Sequence, residues 1–298
     1  AVRELDYHPN TAARSLASPV LRTVGVLFRR QRSTIDANDL GYVDGVRRAL
    51  EPSGIQVVIP IVKFSAPLIE LRSLVRSGAL GGVVLMDVAQ GDEREAMLLK
   101  EGIPTVLIGS SGSSGGAPGV DTDFGQMARA AVDHLAGLGH RRVVALMRET
   151  SQDDSHARQD QARELLRAAG ALAVDVLVRQ VPELALAGGD IVGADGLVDG
   201  RTAVISNNPA ALVGLACAAQ AHGLSIPADL SVLTLGVTQD SGRQREAFSE
   251  LSVDREAMGE AVGSLLLTRL RGEPAPVEHR TLMSAVLTDH GSTARCRD

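Results

Sequence analysis

Gly82-Val83-Val84-Leu85-Met86 is a run of five non-polar residues that leaves no position for a water-facing side chain. A strand with one face in water would alternate apolar and polar residues, so this run predicts a strand that is buried on both faces. Strands of this kind occur in parallel sheets that helices cover on both sides. The segment therefore indicates an α/β fold.

Strand-like and helix-like segments alternate along the chain on both sides of this run. The predicted strands are Thr23–Phe28, Gln56–Val62, Gly82–Met86, Thr105–Gly109, Arg142–Met147, Val174–Val181, Ala203–Ser206, Ser231–Val237 and Leu282–Thr288. The predicted helices are Leu40–Glu51, Pro67–Arg76, Glu93–Glu101, Phe124–Leu138, Ser155–Ala169, Pro209–His222 and Arg255–Arg271. This alternation predicts parallel sheets with helices on both faces, and a length of 298 residues favours two sheets over one.

The composition is that of an ordinary globular protein. Hydrophobic residues make up 44% of the chain and charged residues 22%, and the net charge is -6. The sequence has no membrane-spanning run and no apolar signal-peptide core, so we expect a cytoplasmic protein with no membrane partner. Cys217 and Cys296 lie in no metal-ligand spacing, which predicts reduced, structural thiols and no metal site.

The sequence lacks the motifs of the common α/β enzymes. It has no dinucleotide-binding glycine pattern after a strand, no phosphate-loop lysine, no nucleophile elbow and no zinc-protease motif. His140 follows Gly139 at a predicted helix end, where a histidine can cap carbonyl groups, so we predict a structural role for it. We therefore predict no catalytic residue, no cofactor and no enzymatic activity.

The segment Tyr7-His8-Pro9-Asn10-Thr11-Ala12-Ala13-Arg14-Ser15-Leu16-Ala17-Ser18 has the signals of a short helix ahead of the α/β body. Asn10 is a suitable N-cap, and Ala12 and Leu16 share one helix face. Residues 1–32 carry six arginines against two acids, a balance that suits contact with DNA. From these residues alone, a surface helix packed on the body and a helix that contacts DNA both remain open.

Motifs in order along the chain resemble the LacI family of bacterial transcription repressors. They are the hinge-like segment above, Arg22–Leu27, Gly119-Val120-Asp121, His134–Val143 (HLAGLGHRRV), Ile205–Ala211, Gly223–Val232 (GLSIPADLSV) and Gly291-Ser292-Thr293. The resemblance implies the type I periplasmic-binding-protein-like fold, in which two Rossmann-like lobes each contain a parallel sheet with helices on both faces and an N-terminal hinge segment precedes them. It also implies a ligand cleft between the lobes.

The resemblance implies a DNA-binding hinge. In the family, the hinge helices of two subunits pair in the minor groove and insert a leucine wedge, so Tyr7, Asn10, Ala13, Arg14 and Leu16 are the expected DNA-contacting residues, with Leu16 as the wedge. The family's helix-turn-helix would precede residue 1. We therefore expect this chain by itself to bind operator DNA weakly or not at all, and we expect a homodimer.

The resemblance also divides the chain into three parts. Residues 1–20 would be the remnant of the DNA-binding domain and the hinge helix. Residues 21–120 with 254–278 would form the N-terminal lobe, and residues 121–253 with 279–298 the C-terminal lobe. The Gly- and Ser-rich segment 110–119 is either a linker or a long surface loop.

Six residues are expected in the effector cleft by position: Arg29, Arg158, Asn207, Asn208, Thr238 and Arg255. Arg158 stands at the family's effector-clamping arginine and Asn207 at its cleft asparagine, whereas Asn208 replaces the usual aspartate. Gly109 and Thr238 stand where the family often has acids, and the chain has no Trp to stack on a sugar. Fewer acids and more arginines predict an anionic effector, such as a sugar phosphate or a carboxylate, with a neutral sugar as the alternative.

These observations predict a ligand-responsive transcription repressor. The effector would bind between the lobes and act on operator DNA through the hinge. The alternative is a free-standing small-molecule-binding protein with the same fold.

Overall fold

The computed structural model describes residues 23–29, 37–60, 67–149, 156–182, 192–193, 196–197, 200–236, 248–273 and 280–297. The predicted hinge residues Tyr7, Asn10, Ala13, Arg14 and Leu16 lie outside these ranges.

Helices and strands alternate through the described residues. The helices are α1 (Ala37–Leu50), α2 (Pro67–Arg76), α3 (Glu93–Lys100), α4 (Phe124–Gly137), α5 (His156–Ala171), α6 (Pro209–Ala221) and α7 (Arg255–Leu270). The strands are β1 (Thr23–Leu27), β2 (Gln56–Val58), β3 (Gly82–Leu85), β4 (Thr105–Ile108), β5 (Gly119–Thr122), β6 (Arg142–Arg148), β7 (Asp175–Val181), β8 (Val192–Gly193), β9 (Gly196–Leu197), β10 (Ala203–Ser206), β11 (Ser231–Leu235), β12 (Ser249–Ser252), β13 (Arg280–Met283) and β14 (Val286–Thr288).

The strands form two six-stranded sheets and one small hairpin. The first sheet has the order β13-β5-β4-β3-β1-β2, and all of its neighbouring strands are parallel. The second has the order β14-β12-β11-β10-β6-β7, and only its edge strand β14 runs antiparallel. Strands β8 and β9 pair with each other. The predicted fold, two parallel sheets with helices, is confirmed.

Both faces of each sheet are buried, as the apolar run at 82–86 predicts. In the first sheet, Val84 packs in one hydrophobic cluster with Val46 of α1 and Val262 of α7. The adjacent Leu85 points to the opposite face and packs in another cluster that includes Leu98 of α3. Successive strand residues therefore supply two cores, since side chains alternate across a strand.

The chain passes between the two sheets at three places among the described residues: between β5 and α4, between β12 and α7, and between β13 and β14. Each passage leaves from the end of a parallel strand. The first and third are tied together, because Gln126 Nε2 donates to the carbonyl of Ala285 at 3.0 Å and Ala285 N–H donates to Gln126 Oε1 at 2.8 Å. The three crossings thus form a compact junction.

Two details of the sequence reading change. The predicted strand Leu282–Thr288 is two strands, because β13 pairs with β5 of the first sheet while β14 pairs with β12 of the second. The pairing therefore places residues 280–283 in the first sheet, whereas the lobe division proposed from the sequence stays a prediction. Segment 110–118 is a loop that joins β4 and β5 of one sheet, and Ala117 N–H donates to Glu95 Oε1 at 2.6 Å.

Candidate functional site

The candidate site lies where the parallel strands of both sheets end. We call these the carboxyl edges: Arg29, Asp87, Gly109 and Asp123 follow strands of the first sheet, and Glu149, Asn207, Gly236 and Asp254 follow strands of the second. The three crossings leave from these same edges, so the two edges lie on one side of the molecule. In open α/β sheets, ligands bind outside the carboxyl ends of the strands.

Asn207 is positioned by hydrogen bonds to its two neighbours. Its Oδ1 accepts from the backbone N–H of Arg148 at 2.8 Å, and its Nδ2 donates to Gln161 Oε1 of α5 at 2.6 Å. Gln161 is buried, with 6% of its surface exposed, and its Nε2 also contacts Met127 Sδ of α4 at 3.6 Å. Asn207, which remains partly exposed, therefore fixes how α5 sits on the end of β10.

Asn208 is completely buried and caps helix α6. Its Oδ1 accepts from Ala210 N–H at 3.1 Å and Ala211 N–H at 3.3 Å, and its Nδ2 donates to the carbonyl of Pro182 at 3.0 Å. Asparagine followed by proline is a favourable start for a helix, since proline suits the first helical position. We call each large sheet with the helices packed on it a lobe, numbered as its sheet is. The side chain predicted to contact the effector thus makes its hydrogen bonds inside the second lobe.

Arg255 begins α7 and contacts both lobes. Its Nη2 donates to the carbonyl of Gly236, at the end of β11, at 2.6 Å. Its guanidinium carbon lies 5.9 Å from the centre of the Tyr42 ring of α1, within the range of a cation–π contact. Burial raises the pKa of the Tyr42 phenol, and the charge of Arg255 and its hydrogen bond oppose this.

The acids at two of the strand ends serve as helix caps. Asp123 Oδ1 accepts from Gln126 N–H at the start of α4, and Asp254 Oδ1 accepts from Ala257 N–H at the start of α7. A carboxylate used in this way stabilises the positive end of the helix dipole. These two acids therefore have a structural use at the crossings.

Asp121 is a third acid of the junction, and it is buried beside a cation. Its Oδ2 accepts from Arg280 Nη2 at 2.6 Å, a contact that joins β5 to β13. Burial raises the pKa of Asp121, the charge of Arg280 opposes this, and Asp160 of α5 raises it further. Asp160 belongs to α5, a helix that follows a strand of the second sheet.

Arg94 joins two strands at the first carboxyl edge. Its guanidinium donates to the carbonyls of Met86 at 2.9 Å and Leu27 at 3.4 Å, and so joins the ends of β1 and β3. It also pairs with the buried Asp92 at 2.8 Å. Burial opposes ionisation of Asp92, but the hydrogen bonds and charge of Arg94 outweigh it and hold the pKa of Asp92 below its ordinary value. Sequence reasoning missed this pair.

The other predicted effector residues are placed only in part. Arg29 follows β1 at the first carboxyl edge and is partly exposed. Arg158 lies in the first turn of α5, the helix that Asn207 holds through Gln161. Thr238 lies outside the described residues. The structure thus brings Asn207 and Arg255 to the same edge of the second sheet and places α5 against Asn207.

His140 lies at the opposite edge of the second sheet, where its strands begin. Its Nδ1 is 2.7 Å from Thr202 Oγ1, and its Nε2 is 3.0 Å from both Ser231 Oγ and the carbonyl of Ala294. The expectation that His140 caps helix carbonyls is wrong, because none of these partners belongs to α4. The carbonyl of Ala136 in α4 instead accepts a hydrogen bond from Arg141 Nη1 at 2.7 Å. His140 instead joins the strands to the C-terminal segment, and burial lowers its pKa.

Two negative findings concern the described ranges alone. No group of three or more His, Cys, Asp and Glu side chains is arranged there to hold a metal ion. None of the helices there has both the length and the hydropathy that crossing a bilayer requires.

The architecture is that of a two-lobed ligand-binding domain, and comparison with known proteins indicates the same class of protein. Residues 132–293 match the model of the periplasmic binding protein-like domain. The transcriptional regulator CelR of Thermobifida fusca, an HTH-type regulator, is 27% identical over 92% of this chain and 82% of its own length.

Solved structures share the fold at low sequence identity. A LacI family transcriptional regulator from Bifidobacterium animalis has a TM-score of 0.79 at 16% identity, over 93% of this chain and 100% of that chain. The complex of CelR with cellobiose has a TM-score of 0.75 at 20% identity, over 98% of this chain and 93% of that chain.

The chain belongs to the periplasmic binding protein-like domain family, whose model matches more than half of it, and within that class to the LacI family of transcription regulators. It is a ligand-responsive transcription regulator. The relatives are transcription regulators rather than enzymes.

Proposed function

We propose that this regulator binds an anionic small molecule between the two carboxyl edges, and that the bound effector changes the angle between the lobes. In a homodimer in the cytoplasm, that change alters the spacing of the two hinge segments. The dimer therefore binds or releases operator DNA. The hinge residues are those named above, with Leu16 as the wedge. The observation that carries the proposal is the cation Arg255, which contacts both lobes at the carboxyl edge that also carries Asn207.

The charges at the edges support an anion. Arg29 follows β1, Arg255 begins α7 and Arg158 belongs to the first turn of α5, whereas two of the four acids at the edges, Asp123 and Asp254, accept hydrogen bonds from helix N-termini. A guanidinium binds carboxylate and phosphate through two parallel hydrogen bonds. A sugar phosphate or a carboxylate fits this balance.

A neutral sugar is the second candidate. Its support is the solved complex of the related CelR with cellobiose. Asn207 has both an acceptor and a donor, which suits sugar hydroxyls.

The anion and the sugar are separated by thermal shift of the whole chain. Sugar phosphates, citrate and neutral disaccharides are added at 1 µM to 10 mM, since binding to the folded state raises the melting temperature. We expect stabilisation by an anion that Arg158→Ala and Arg255→Gln both reduce. Stabilisation by a neutral sugar alone, unchanged in both variants, would contradict the anion.

For the homodimer, we propose the outer face of α6 as the contact. A groove of about 840 Å³ there is lined by Leu212, Val213, Ala216, Leu224 and Phe248 among others. Val213 is 41% exposed on this largely apolar helix. An exposed apolar face of this kind marks an interaction surface.

The dimer is tested by sedimentation of the chain. Val213→Glu is expected to yield monomers, whereas Leu166→Glu, at a leucine 51% exposed on α5, leaves the dimer intact. A dimer that persists in Val213→Glu would contradict this surface.

DNA binding is tested with the full-length gene product. A mobility-shift assay at low salt, with DNA from upstream of the gene, is expected to show a complex that the stabilising anion strengthens or dissolves. Leu16→Ala should weaken that complex. A full-length protein that never binds DNA would favour the free-standing binding protein.

A further inference from the structure

The side chain of Arg255 connects the lobes at one of the backbone crossings, the one between β12 and α7. Arg255 belongs to α7, which packs on β3, β4 and β5 of the first sheet and on α1. Its guanidinium nevertheless reaches the carbonyl of Gly236 in the second sheet, at 2.6 Å. The first-lobe side of this contact is Tyr42, whose ring lies below the guanidinium.

The first-lobe side is rigid because α1 and α7 pack in backbone contact. A Cβ added to Gly45 would lie 2.1 Å from the carbonyl oxygen of Glu256, and one added to Gly259 would lie 2.2 Å from that of Tyr42. Gly41 leaves room for the stem of Arg255, whose Cβ would be 3.2 Å from an added Cβ. The glycines therefore fix the position of Arg255 relative to Tyr42. A change in the angle between the lobes would then lengthen or break the hydrogen bond from Arg255 to Gly236.

We propose that Arg255 is an interlobe latch and that the effector opens it by competing for the guanidinium. In the structure, Arg255 donates to the neutral carbonyl of Gly236. A carboxylate or phosphate forms a stronger, charge-assisted hydrogen bond with the same group and displaces that carbonyl. Arg255 thereby selects an anion over a neutral ligand and transmits its binding to the lobe angle. This inference rests on the anionic effector of the proposed function.

The competition gives the coupling a physical basis. A ligand shifts a conformational equilibrium only as far as its affinities for the two states differ. In the latched state, the guanidinium of Arg255 is already hydrogen-bonded to the carbonyl of Gly236. In the open state, that bond is broken and the guanidinium can bind the anion. Binding and opening therefore favour each other.

The latch is tested by the distance between spin labels on the two lobes of the whole chain. The labels are placed at Lys100→Cys in α3 and Arg167→Cys in α5, in a background with Cys217→Ser and Cys296→Ser. Without ligand, we expect one narrow distribution, which Arg255→Gln shifts and broadens about twofold. Arg255→Lys should retain part of the narrow population, since it keeps the charge but loses the planar donor pair.

Arg48→Gln is the matched control. Arg48 is an arginine of α1 that pairs with Glu256 on the surface, at 2.6 Å, and reaches no second-lobe residue in the described contacts. Its removal should leave the distance distribution unchanged. Circular dichroism of each variant confirms that it is folded.

Phosphate, pyrophosphate and citrate are the probes for the competition. We expect at least one of them to convert the wild-type distribution into that of Arg255→Gln, and to leave Arg255→Gln itself unchanged. Equal distributions for the wild type and Arg255→Gln without ligand would overturn the latch, even where an anion stabilises the chain. A change in Arg255→Gln together with no response of the wild type to any anion would overturn the competition and the anionic effector, but not the interlobe contact.

Discussion

Asn207 donates from Nδ2 to Gln161 Oε1 at 2.6 Å, so that the residue following β10 holds helix α5 in place. The partner Gln161 is buried, and loss of either side chain leaves a polar group of the other without its partner. The position of α5, which carries Arg158, depends on this bond.

We expect the pair to show a measurable coupling energy. Asn207→Ala and Gln161→Ala, alone and together, are compared by urea unfolding, and the double-mutant cycle should give about 1 kcal/mol. The same cycle with Asn207 and the exposed Gln220 of α6 is the control and should give a value near zero. Strict additivity for Asn207 and Gln161 would mean that the bond does not stabilise the fold.

Loss of the buried cap is expected to destabilise the second lobe. Asn208→Ala removes the acceptor for two N–H groups of α6 and leaves the Pro182 carbonyl unpaired, at a cost of about 2 kcal/mol in the free energy of unfolding. Asn208→Asp should recover the cap but not the bond to Pro182. Ser77→Ala, at an exposed hydroxyl, serves as the control and should change the value by less than about 0.5 kcal/mol.

Removal of Arg94 should be among the most damaging single changes. Arg94→Met leaves the buried Asp92 carboxylate without its cation and removes the arginine donor to the carbonyl of Met86, so we expect a loss of about 3 to 5 kcal/mol. Arg72→Met, at an arginine that is exposed near Glu101, is the comparison. Urea unfolding at pH 7 measures both. A loss below about 1 kcal/mol for Arg94→Met would contradict the role assigned to this arginine.

The stability of the chain should fall when the pH drops below the ordinary histidine value of 6.5. Burial lowers the pKa of both His134 and His140 in the folded state, so between the folded and unfolded values the unfolded chain binds more protons. Their contribution is therefore complete above pH 6.5 and is lost as the pH falls through the folded values. His140→Gln should flatten this dependence between pH 7 and pH 5, as measured by urea unfolding at each pH.

The contact between α1 and α7 should tolerate no methyl group. Gly259→Ala would place a Cβ against the backbone of α1, and we expect a loss of about 3 kcal/mol or failure to fold. Gly170→Ala is the matched control, since that helical glycine has nothing within 4 Å of an added Cβ. It should stabilise α5 by up to about 1 kcal/mol, because alanine has the higher helix propensity. Thermal melts of both variants distinguish the effect of steric crowding on the melting temperature from the effect of helix propensity.

The sequence predicted the two sheets well because their strands are continuous apolar runs, which have no water-facing alternative. It could not divide Leu282–Thr288, because the break is set by a partner far along the chain, the side chain of Gln126. Apolar content reports that a strand is buried, but not which sheet buries it.

The site was predicted less completely, for reasons that differ by residue. Asn208 followed by Pro209 carried a cap signal that could have assigned its role. The spacing of Gly41 with Gly45, and of Gly259 with Gly263, also signalled close helix packing. Arg94 carried no signal, because an arginine between two glutamates on a helix reads as solvent-exposed charge.

The three crossings also constrain how this protein is made. Strand β13 completes the first sheet and α7 covers it, although both are encoded after nearly all of the second sheet. During translation, the apolar strands of the first sheet that emerge first remain partly exposed to solvent. They are covered only after residue 283 has left the ribosome and β13 can pair with β5. Neither lobe can be obtained from a single uninterrupted stretch of the gene, so a nascent chain arrested before α7 is the form that most needs a chaperone.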